Sequence, residues 1–458
     1  MVVDANNLYG CAIMLSLPTG DFEWLGDEGV ENFDLSEWSD DGERGCILKI
    51  DARMPVELHE RMKSYPLAPE RMSVKEEMLS ETQKDILDQL KCEEVEKGKA
   101  KKTRKMGLEE GIDVIERKDY SSTNKLLLNL YDKKEYVIHY RNLKLYTSLG
   151  MEITKIHKVL TFKQSTWLKK YIDFNSVKRA LARNKFEEDF FKLMNNAMFS
   201  KTMENLRLRR SVDLVTDESK RKKLLSQPTF RSLRVFNEEL TAIERYKASV
   251  CLNKPICVGF CVLELSKLVM YDFYYNKLSR MFSNMRLLFT DTDSLMVEIC
   301  GEDNIYDIMK EHSEEFDFSN YPYEHDSYSE VNKKVPGKFK DETASAQIIE
   351  FIGLRAKCYS IRQLGRVKNN ILLDLTIFFD KKTLKGIKKA VKDGVITHQD
   401  YKDCLLLAQR KLAEIHAFSS RNHVVQTVLQ RKIALAFFDD KRYLLADGIT
   451  SLPYGYKS

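Results

Sequence analysis

The sequence predicts an α+β fold in which strands and helices are mixed without a regular βαβ repeat. A short apolar strand over residues 1–3 leads into a helical pattern over residues 7–15. Apolar residues recur at helical spacing from Phe186 to Met198, which predicts an amphipathic helix. Short apolar segments flank the polar sequence DTDS at residues 291–294, as in a hairpin. The remaining predicted elements are strands over 351–361 and 371–379, and mostly helix from residue 385 onward.

The composition is that of a globular protein. Of 458 residues, 43% are hydrophobic and 31% are charged, which excludes a chain disordered throughout. The longest apolar stretch, residues 256–263, is too short to cross a bilayer. Asp4 interrupts the first apolar stretch and no basic region precedes it, unlike a signal peptide. We therefore expect an intracellular protein, nuclear or cytoplasmic, without a membrane partner.

Charge is segregated along the chain although the net charge is only +5. One segment, Asp27–Glu43, carries eight acidic residues and no basic one. The basic runs are Lys97–Lys105, Arg207–Arg210, Lys220–Lys223 and Lys381–Lys389. Each run alone is typical of a solvated face, but four of them favour a polyanionic partner. The segment predicted to be least ordered is 91–118.

Two carboxylates lie at the tip of the predicted hairpin. Asp291 and Asp293 are held close together because apolar segments on both sides fix the backbone. Hard oxygen ligands of this kind bind Mg²⁺. The alternative is an ordinary Asp/Ser turn without a ligand.

A third carboxylate lies near the N-terminus. Asp4 follows the first strand and precedes the first helix, and Asn6 is predicted to cap that helix. Tyr9 is predicted to lie one turn into it. Free N–H groups at the helix start could face an anion, and the alternative is a simple strand-to-helix corner.

One face of the predicted helix around residue 192 is polar. Residues at spacings of three, four or seven share a face of a helix, and these are Lys185, Lys192, Asn196, Phe199 and Ser200. Cations, an amide and an aromatic ring together can hold a triphosphate and stack a base. The alternative is a surface ion pair between Glu188 and Lys192.

A lysine and a tyrosine are two residues apart in the sequence GLRAKCYSI. Lys357 and Tyr359 are predicted to alternate on a strand and to share one face. In that arrangement they could grip a sugar-phosphate backbone. The alternative is a half-exposed strand face.

The order of these motifs resembles that of family B DNA polymerases. DANNLYG, which begins at Asp4, resembles motif A, and KLMNNAMFSKTMEN resembles motif B. FTDTDS resembles motif C, and AKCY resembles the Lys-x-Tyr motif. Further similar stretches are YVIHYRNLKLYTSLG, KPICVGFCVLELSKLVMYDF, GKFKDE and DDKRYLL. The sequence is most similar to the protein-primed branch, especially polymerases of Maverick/Polinton-type mobile elements and related viruses.

The resemblance implies a right-hand polymerase fold of palm, fingers and thumb. It also implies truncation at the N-terminus, without the upstream exonuclease domain, because the chain starts three residues before Asp4. The implied domains are the start of the palm (1–15), an insertion and palm region (16–160), fingers (161–201), a second insertion (202–248), palm (249–380) and thumb (381–458). The two insertions correspond to those that serve the terminal protein and strand displacement in this branch.

The resemblance also implies roles for individual residues. Two Mg²⁺ ions, with Mn²⁺ as the alternative, would be held by Asp4 and Asp293, with Asp291 as a supporting carboxylate. The incoming nucleotide would contact Lys185, Lys192, Leu8, Tyr9, Asn196 and Phe199, with Tyr9 under the deoxyribose. The primer and template would contact Lys357, Tyr359 and Ser200.

The implied function is that of a DNA-directed DNA polymerase that extends a primer 3′-hydroxyl on a DNA template. Its implied partners are primer–template DNA, deoxynucleoside triphosphates and a terminal priming protein. Three positions depart from the usual family residues, namely Ala197 for Ser, Ser200 for Gly and Phe289 for Tyr. The alternative is therefore an inactive or weakened remnant of a mobile element that still binds DNA. A reverse transcriptase also uses palm carboxylates, but the helix of Lys192 and the later Lys-x-Tyr motif argue against it.

Overall fold

The computed structural model describes residues 1–89, 123–301, 304–364, 378–421 and 424–458, and only the backbone at 390, 419–421 and 424. The basic run Lys97–Lys105 and the segment 91–118 lie outside the described residues. So does most of the strand predicted over 371–379.

Strands and helices are mixed along the chain, which confirms the predicted α+β composition. The helices are α1 Leu8–Met14, α2 Asp27–Glu31, α3 His59–Met62, α4 (81–89), α5 Tyr140–Ser148, α6 Lys169–Ala180, α7 Lys185–Thr202, α8 Glu218–Leu225, α9 Ile256–Asp272, α10 Ser279–Met281, α11 Ile305–Glu311, α12 Lys389–Val395 and α13 His398–Leu406. The strands are β1 Val2–Ala5, β2 Leu17–Trp24, β3 Arg44–Arg53, β4 Glu70–Met72, β5 Lys125–Leu127, β6 Lys133–His139, β7 Glu152–Ser165, β8 Arg210–Val215, β9 Phe230–Val235, β10 Thr241–Tyr246, β11 Met285–Asp291, β12 Ser294–Ile299, β13 Phe316–Asp317, β14 Phe339–Asp341, β15 Ile348–Arg355, β16 Cys358–Leu364, β17 Phe378–Leu384, β18 Lys411–Arg421, β19 Val424–Leu435, β20 Tyr443–Leu444 and β21 Ser451–Leu452.

A five-stranded sheet in the order β11-β12-β1-β14-β13 contains Asp4 on β1 and Asp291 on β11. The short strand β1 pairs antiparallel with both β12 and β14. Val3 lies opposite Leu295, and both side chains are fully buried. Asp4 lies opposite Ser294 and Lys340, and directly paired residues share one face of a sheet. Burial of Val3 therefore turns Asp4 toward the other, less buried face.

A four-stranded sheet, β2-β7-β3-β6, lies beside α5 and α9. The main core joins residues of β3, α5, β1 and β12 with the π-helix Phe273–Leu278 that continues α9. The domain boundary predicted at residue 160 falls inside β7. None of the described helices combines the length and the apolar character needed to cross a membrane.

The helix predicted around residues 186–198 is confirmed as α7, which packs against α6 and α9. Its N-cap is Asn184, whose side chain accepts from the backbone N–H of Glu187. In the first half of the apolar stripe the side chains do not face the core, because Phe186, Phe190 and Leu193 are 79%, 45% and 63% exposed. In the second half, Met198 packs against the buried cluster of α1, α6 and α9. Periodicity identifies an amphipathic helix but does not determine whether its apolar face finds a partner.

The C-terminal end of α7 approaches α9 closely at Gly259. A Cβ atom at this glycine would lie 2.4 Å from Met203 Sδ and 2.5 Å from Thr202 Oγ1. Glycine at this position therefore permits the close packing of this end of α7 against α9.

Residues 202–248 form a small unit of their own. The sheet β8-β10-β9 packs against α8 through Val215, Leu224 and Ile243. The basic runs Arg207–Arg210 and Lys220–Lys223 lie on this unit. The assignment of these residues to a second insertion stays a prediction.

The prediction of mostly helix from residue 385 onward is wrong. Among the described residues of this region the helices are α12 and α13, and they are followed by the long antiparallel hairpin β18–β19. Ala413 and Ile415 are buried, whereas Leu412 and Phe418 are 48% and 83% exposed. Because both faces of the hairpin carry apolar residues, the alternation that identifies a strand is obscured.

After the hairpin, the C-terminal segment 436–458 returns to an earlier part of the chain. The backbone N–H of Leu130 donates to the carbonyl of Tyr454 at 2.8 Å. The side-chain amide of Gln83 donates to the carbonyls of Asp439 and Arg442 at 2.8 and 2.9 Å. The chain that follows the hairpin is thus attached to the body of the protein.

Candidate active site

The predicted carboxylate hairpin is confirmed as β11 and β12, joined by Thr292 and Asp293. Thr292 has a φ of +62°, an uncommon conformation for a β-branched residue. The N–H of Asp293 donates to the carbonyl of Asp291 at 2.7 Å. The N–H of Ala5 donates to the carbonyl of Asp293, also at 2.7 Å. This second bond fixes the turn beside the end of β1, where Asp4 lies.

Asp4 and Asp293 lie in one another's electric field. Burial, together with the charges of Asp293 and Glu342, raises the pKa of Asp4 to about 7, while the charges of Lys340 and Lys192 act in opposition. Burial likewise raises the pKa of Asp293, with Lys192 again acting in opposition. Two partly buried carboxylates with raised pKa values carry negative charge that the protein does not fully balance. Such a pair is suited to a cation.

The donor set fits Mg²⁺ bound together with a substrate. In the described part of the chain, no three Asp, Glu, His or Cys side chains are grouped to hold one metal ion. Asp4 and Asp293 therefore offer two carboxylates rather than a complete set of metal ligands. Mg²⁺ commonly binds through one or two carboxylates and takes its other ligands from water and substrate phosphates.

A lysine–glutamate group beside Asp4 was not predicted from the sequence. Glu342 pairs with Lys340 at 2.8 Å and with Lys381 at 3.5 Å. Burial would raise the pKa of Glu342, but the two lysines hold it below its usual value. The alternation of Lys340 and Glu342 in GKFKDE places them on one face of the chain, and that pattern could have indicated the group.

The start of α1 differs from its prediction. The N-cap is Asn7, with a φ of +46° and no side-chain cap, whereas Asn6 was predicted to cap the helix. The side-chain amide of Asn6 instead donates to Asp317 at 2.7 Å. Leu8 is only 3% exposed, so its side chain lies in the core and not on the surface of the site. Tyr9 is the second residue of α1 rather than one turn in.

The ring of Tyr9 joins α1 to α7. It stacks on Phe199 with centroids 4.4 Å apart and planes 8° apart. Burial raises the pKa of Tyr9, and the charge of Asp293 raises it further. Lys192 lies two helical turns before Phe199, and its charge lowers the pKa of both Asp4 and Asp293. The stretches that contain Asp4, Lys192 and Asp293 thus converge on one place.

Other polar residues of α7 point to solvent. Asn196 and Ser200 are exposed, and the hydroxyl of Ser200 donates to the carbonyl of Ala197 at 3.1 Å. Lys185 is 74% exposed in its side chain and pairs with two carboxylates of its own helix, Glu188 at 3.4 Å and Asp189 at 3.2 Å. Besides Lys185, the cations that pair with Glu188 are Arg179 and Lys334.

The Lys-x-Tyr motif lies against the carboxylate hairpin but not as predicted. Lys357 lies in the turn between β15 and β16, with a φ of +59°, and only Tyr359 is on a strand. The prediction that they share a strand face is therefore wrong. Lys357 Nζ lies 2.9 Å from Asp291 Oδ1, and the Tyr359 ring centroid lies 4.6 Å from that of Phe289.

Solved structures provide the comparison that bears on this arrangement. The fold is similar to that of Phi29 DNA polymerase. Its orthorhombic crystal form matches with a TM-score of 0.52 at 14% identity, covering 95% of this chain and 58% of that polymerase. Its ternary complex with primer-template DNA and incoming nucleotides matches with a TM-score of 0.51 at 14% identity, covering 95% and 57%. The chain therefore spans less than three fifths of the polymerase it resembles.

Sequence comparisons add nothing to this likeness, because no family model and no curated protein matches the chain. At 14% identity the structural match concerns the fold. It supports a mixed α and β architecture like that of a DNA polymerase.

The crowded carboxylates predict a pH-dependent stability. The pKa of Asp4 rises from 3.8 to about 7 on folding, so its ionisation destabilises the fold progressively above pH 4 and fully above pH 7. Asp4→Asn should therefore raise the free energy of unfolding of the metal-free protein at pH 8 by on the order of 2 kcal/mol. Its melting temperature should rise accordingly. At pH 4 the two proteins should melt alike.

Differential scanning fluorimetry in EDTA between pH 4 and pH 8 measures this difference. Asp21→Asn is the control, because Asp21 is exposed and pairs with Lys163. Adding Mg²⁺ at pH 8 should stabilise the wild type more than Asp4→Asn. Equal melting temperatures for wild type and Asp4→Asn at pH 8 would contradict the raised pKa of Asp4.

Proposed function

We propose that the chain is a DNA-directed DNA polymerase that transfers deoxynucleotides to a primer 3′-hydroxyl by a two-metal mechanism. The observation that carries the proposal is the convergence of Asp4 and Asp293, far apart in sequence, within reach of the charge of Lys192. In the proposed right-hand fold the five-stranded sheet is the palm, α6 and α7 are the fingers, and residues 381–458 are the thumb.

The residues of the site divide the work of nucleotide transfer. Bound Mg²⁺ would lower the charge repulsion between the primer hydroxyl and the triphosphate, and would be held by Asp4 and Asp293. Lys192 would stabilise the negative charge that develops on the leaving pyrophosphate. Tyr9 and Phe199 would hold the sugar and base of the incoming nucleotide.

The remaining proposed contacts are assigned by position. The incoming nucleotide is proposed to contact Asn196, Lys185 and the backbone of Leu8. The primer and template are proposed to contact Lys357, Tyr359 and Ser200. Asp291 would support the metal site while it pairs with Lys357, 2.9 Å away. This pairing brings the primer contact beside the carboxylates.

The proposed partners are primer–template DNA and deoxynucleoside triphosphates. Phi29 DNA polymerase has been solved with primer-template DNA and incoming nucleotides, and the likeness of fold supports the same ligands here. A terminal priming protein, and membership of the protein-primed branch of family B, belong to the same proposal.

Primer extension tests the function directly. Purified protein is incubated with Mg²⁺, deoxynucleoside triphosphates and a labelled primer on a DNA template, and elongation should follow the template sequence. DNA binding is measured in parallel by fluorescence anisotropy. Binding without elongation would instead support the remnant that binds DNA through its basic runs.

Tyr9 should control the choice of sugar. Its ring is fixed by stacking on Phe199, 4.4 Å away, and is proposed to lie under the deoxyribose. Tyr9→Val should raise ribonucleotide incorporation relative to deoxynucleotide incorporation by about tenfold, a change of about 1.4 kcal/mol in discrimination. Single-nucleotide extension with paired dNTP and rNTP measures the ratio. Tyr9→Phe is the control and should keep it, while unchanged discrimination in Tyr9→Val would remove Tyr9 from the sugar site.

A further inference from the structure

A buried chain of hydrogen bonds joins β15 and β16 to the start of α13. The hydroxyl of Ser360 lies 2.8 Å from His398 Nδ1, and His398 Nε2 lies 2.9 Å from Glu350 Oε2. Ser360 is on β16, Glu350 on β15, and His398 is the first residue of α13. None of these three residues has a place in the proposed chemistry.

Serine, histidine and a carboxylate bonded in this order resemble the catalytic triad of a hydrolase, but their burial excludes catalysis. Ser360 is 0% exposed and His398 is 1% exposed, so a substrate cannot reach either one. The hydrogen bonds therefore fix β15, β16 and α13 relative to one another.

The imidazole of His398 is held in place by Glu350, which also bonds a second residue of α13. Glu350 accepts from His398 at one carboxylate oxygen and from Lys402, one turn further along α13, at the other, at 2.7 Å. A capping box between Thr397 and Asp400 fixes the first turn of that helix. Because Glu350 needs a donor, the arrangement favours the tautomer with a proton on Nε2 and an acceptor at Nδ1 for the hydroxyl of Ser360.

The other side of β16 faces the candidate active site. Side chains alternate along a strand, and the ring of Tyr359 packs on Phe289 of β11, whose centroid is 4.6 Å away. The neighbours of Tyr359, Cys358 and Ser360, are 2% and 0% exposed on the side of α13. The strand thus lies between the carboxylate hairpin and α13, and Ser360 is the residue directly after Tyr359.

We propose that His398 is a positioning residue that, through Ser360, sets the place of Tyr359 and Lys357 against the carboxylate hairpin. The inference rests on the proposed function, in which these two residues hold the primer. His398 itself touches neither DNA nor nucleotide. The assigned role is to keep the primer terminus aligned with Asp4 and Asp293.

Two variants break the chain of hydrogen bonds and one control matches them. Ser360→Ala removes the hydroxyl alone, and His398→Phe removes both bonds while it fills much of the volume. Tyr454→Phe is the control, because Tyr454 lies in a separate cluster and loses one buried bond, to the carbonyl of Asp440 at 3.0 Å. If His398→Phe does not fold, Ser360→Ala carries the test.

The variants should separate stability from positioning. Ser360→Ala and Tyr454→Phe should each lower the melting temperature by about 2 °C, as expected for one buried hydrogen bond. Only Ser360→Ala should lower the maximal extension rate, by about tenfold, because a displacement of under 1 Å has this effect. Its KM for the nucleotide should stay unchanged, because the proposed nucleotide contacts lie on α1 and α7.

A double-mutant cycle and hydrogen exchange complete the test. In a Lys357→Met background, Ser360→Ala should cost less than threefold in extension rate, since both act through the same contact. Amide exchange in 285–291 and 358–361 should be faster in Ser360→Ala and unchanged in Tyr454→Phe. Unchanged exchange in Ser360→Ala would overturn the positioning role, whether or not the protein extends primers. Faster exchange with no extension by the wild type would sustain the role and reject only the polymerase function.

Discussion

Replacing Asp4 or Asp293 with asparagine is expected to lower the rate of primer extension by at least about a thousandfold. Each carboxylate is proposed to bind Mg²⁺, and the loss of several kcal/mol of charge stabilisation in the transition state corresponds to this factor. Affinity for primer–template should change little, because binding to the phosphate backbone depends mainly on lysine and arginine. Extension rates and anisotropy titrations at fixed salt measure both quantities.

Asp21→Asn is the matched control for these variants. Asp21 is exposed, pairs with Lys163 at 2.7 Å and has a φ of +51°, which asparagine tolerates well. It should extend primers at the wild-type rate. If Asp4→Asn or Asp293→Asn keeps more than a tenth of the wild-type rate, the two-metal assignment is wrong.

Lys192→Ala should lower extension by about a hundredfold or more. Removing one group that stabilises a developing negative charge typically costs about 10²–10³ in rate. The loss should appear at saturating nucleotide as well as in KM, because the charge on the pyrophosphate develops during the reaction. Single-turnover extension over a range of nucleotide concentrations separates these effects.

Two lysines of α7 provide comparisons for Lys192. Lys201 lies about half a rotation away around the helix and pairs with Glu204 at 3.8 Å, so Lys201→Ala should be close to wild type. Lys185→Ala should have an intermediate effect, because Glu188 and Asp189 already offset its charge. An equal loss in all three variants would indicate a general effect of positive charge on DNA binding rather than a specific contact.

The parts of the site that sequence could predict are those determined locally. The hairpin around Asp291 and Asp293 follows from apolar segments on both sides of a short polar turn. The helix that carries Lys192 follows from a strong 3.6-residue period. In both cases one stretch of chain contains the information, and the structure agrees with the prediction.

The parts that sequence could not predict depend on partners distant in the chain. Asn6 bonds to Asp317, which is 311 residues away, instead of capping its own helix. Glu342 acts on Asp4 only because β14 pairs with β1. Lys357 was expected on a strand, but β15 and β16 meet in a tight turn at that position. Local propensity does not determine which strands become neighbours.

The attachment of the C-terminal segment has a mechanical consequence for the hairpin β18–β19. The bonds of Gln83 to Asp439 and Arg442, and of Leu130 to Tyr454, anchor the chain after the hairpin, while β17 and α13 anchor it before. Lys411 at the start of β18 lies opposite Leu435 at the end of β19, so both attachments hold the same end of the hairpin, its base. An element held by two chain connections at its base behaves as a cantilever on two supports. It can bend along its length, but the second support resists the rotation about the base that a single connection would allow. Cutting the amide contacts of Gln83 would weaken that resistance.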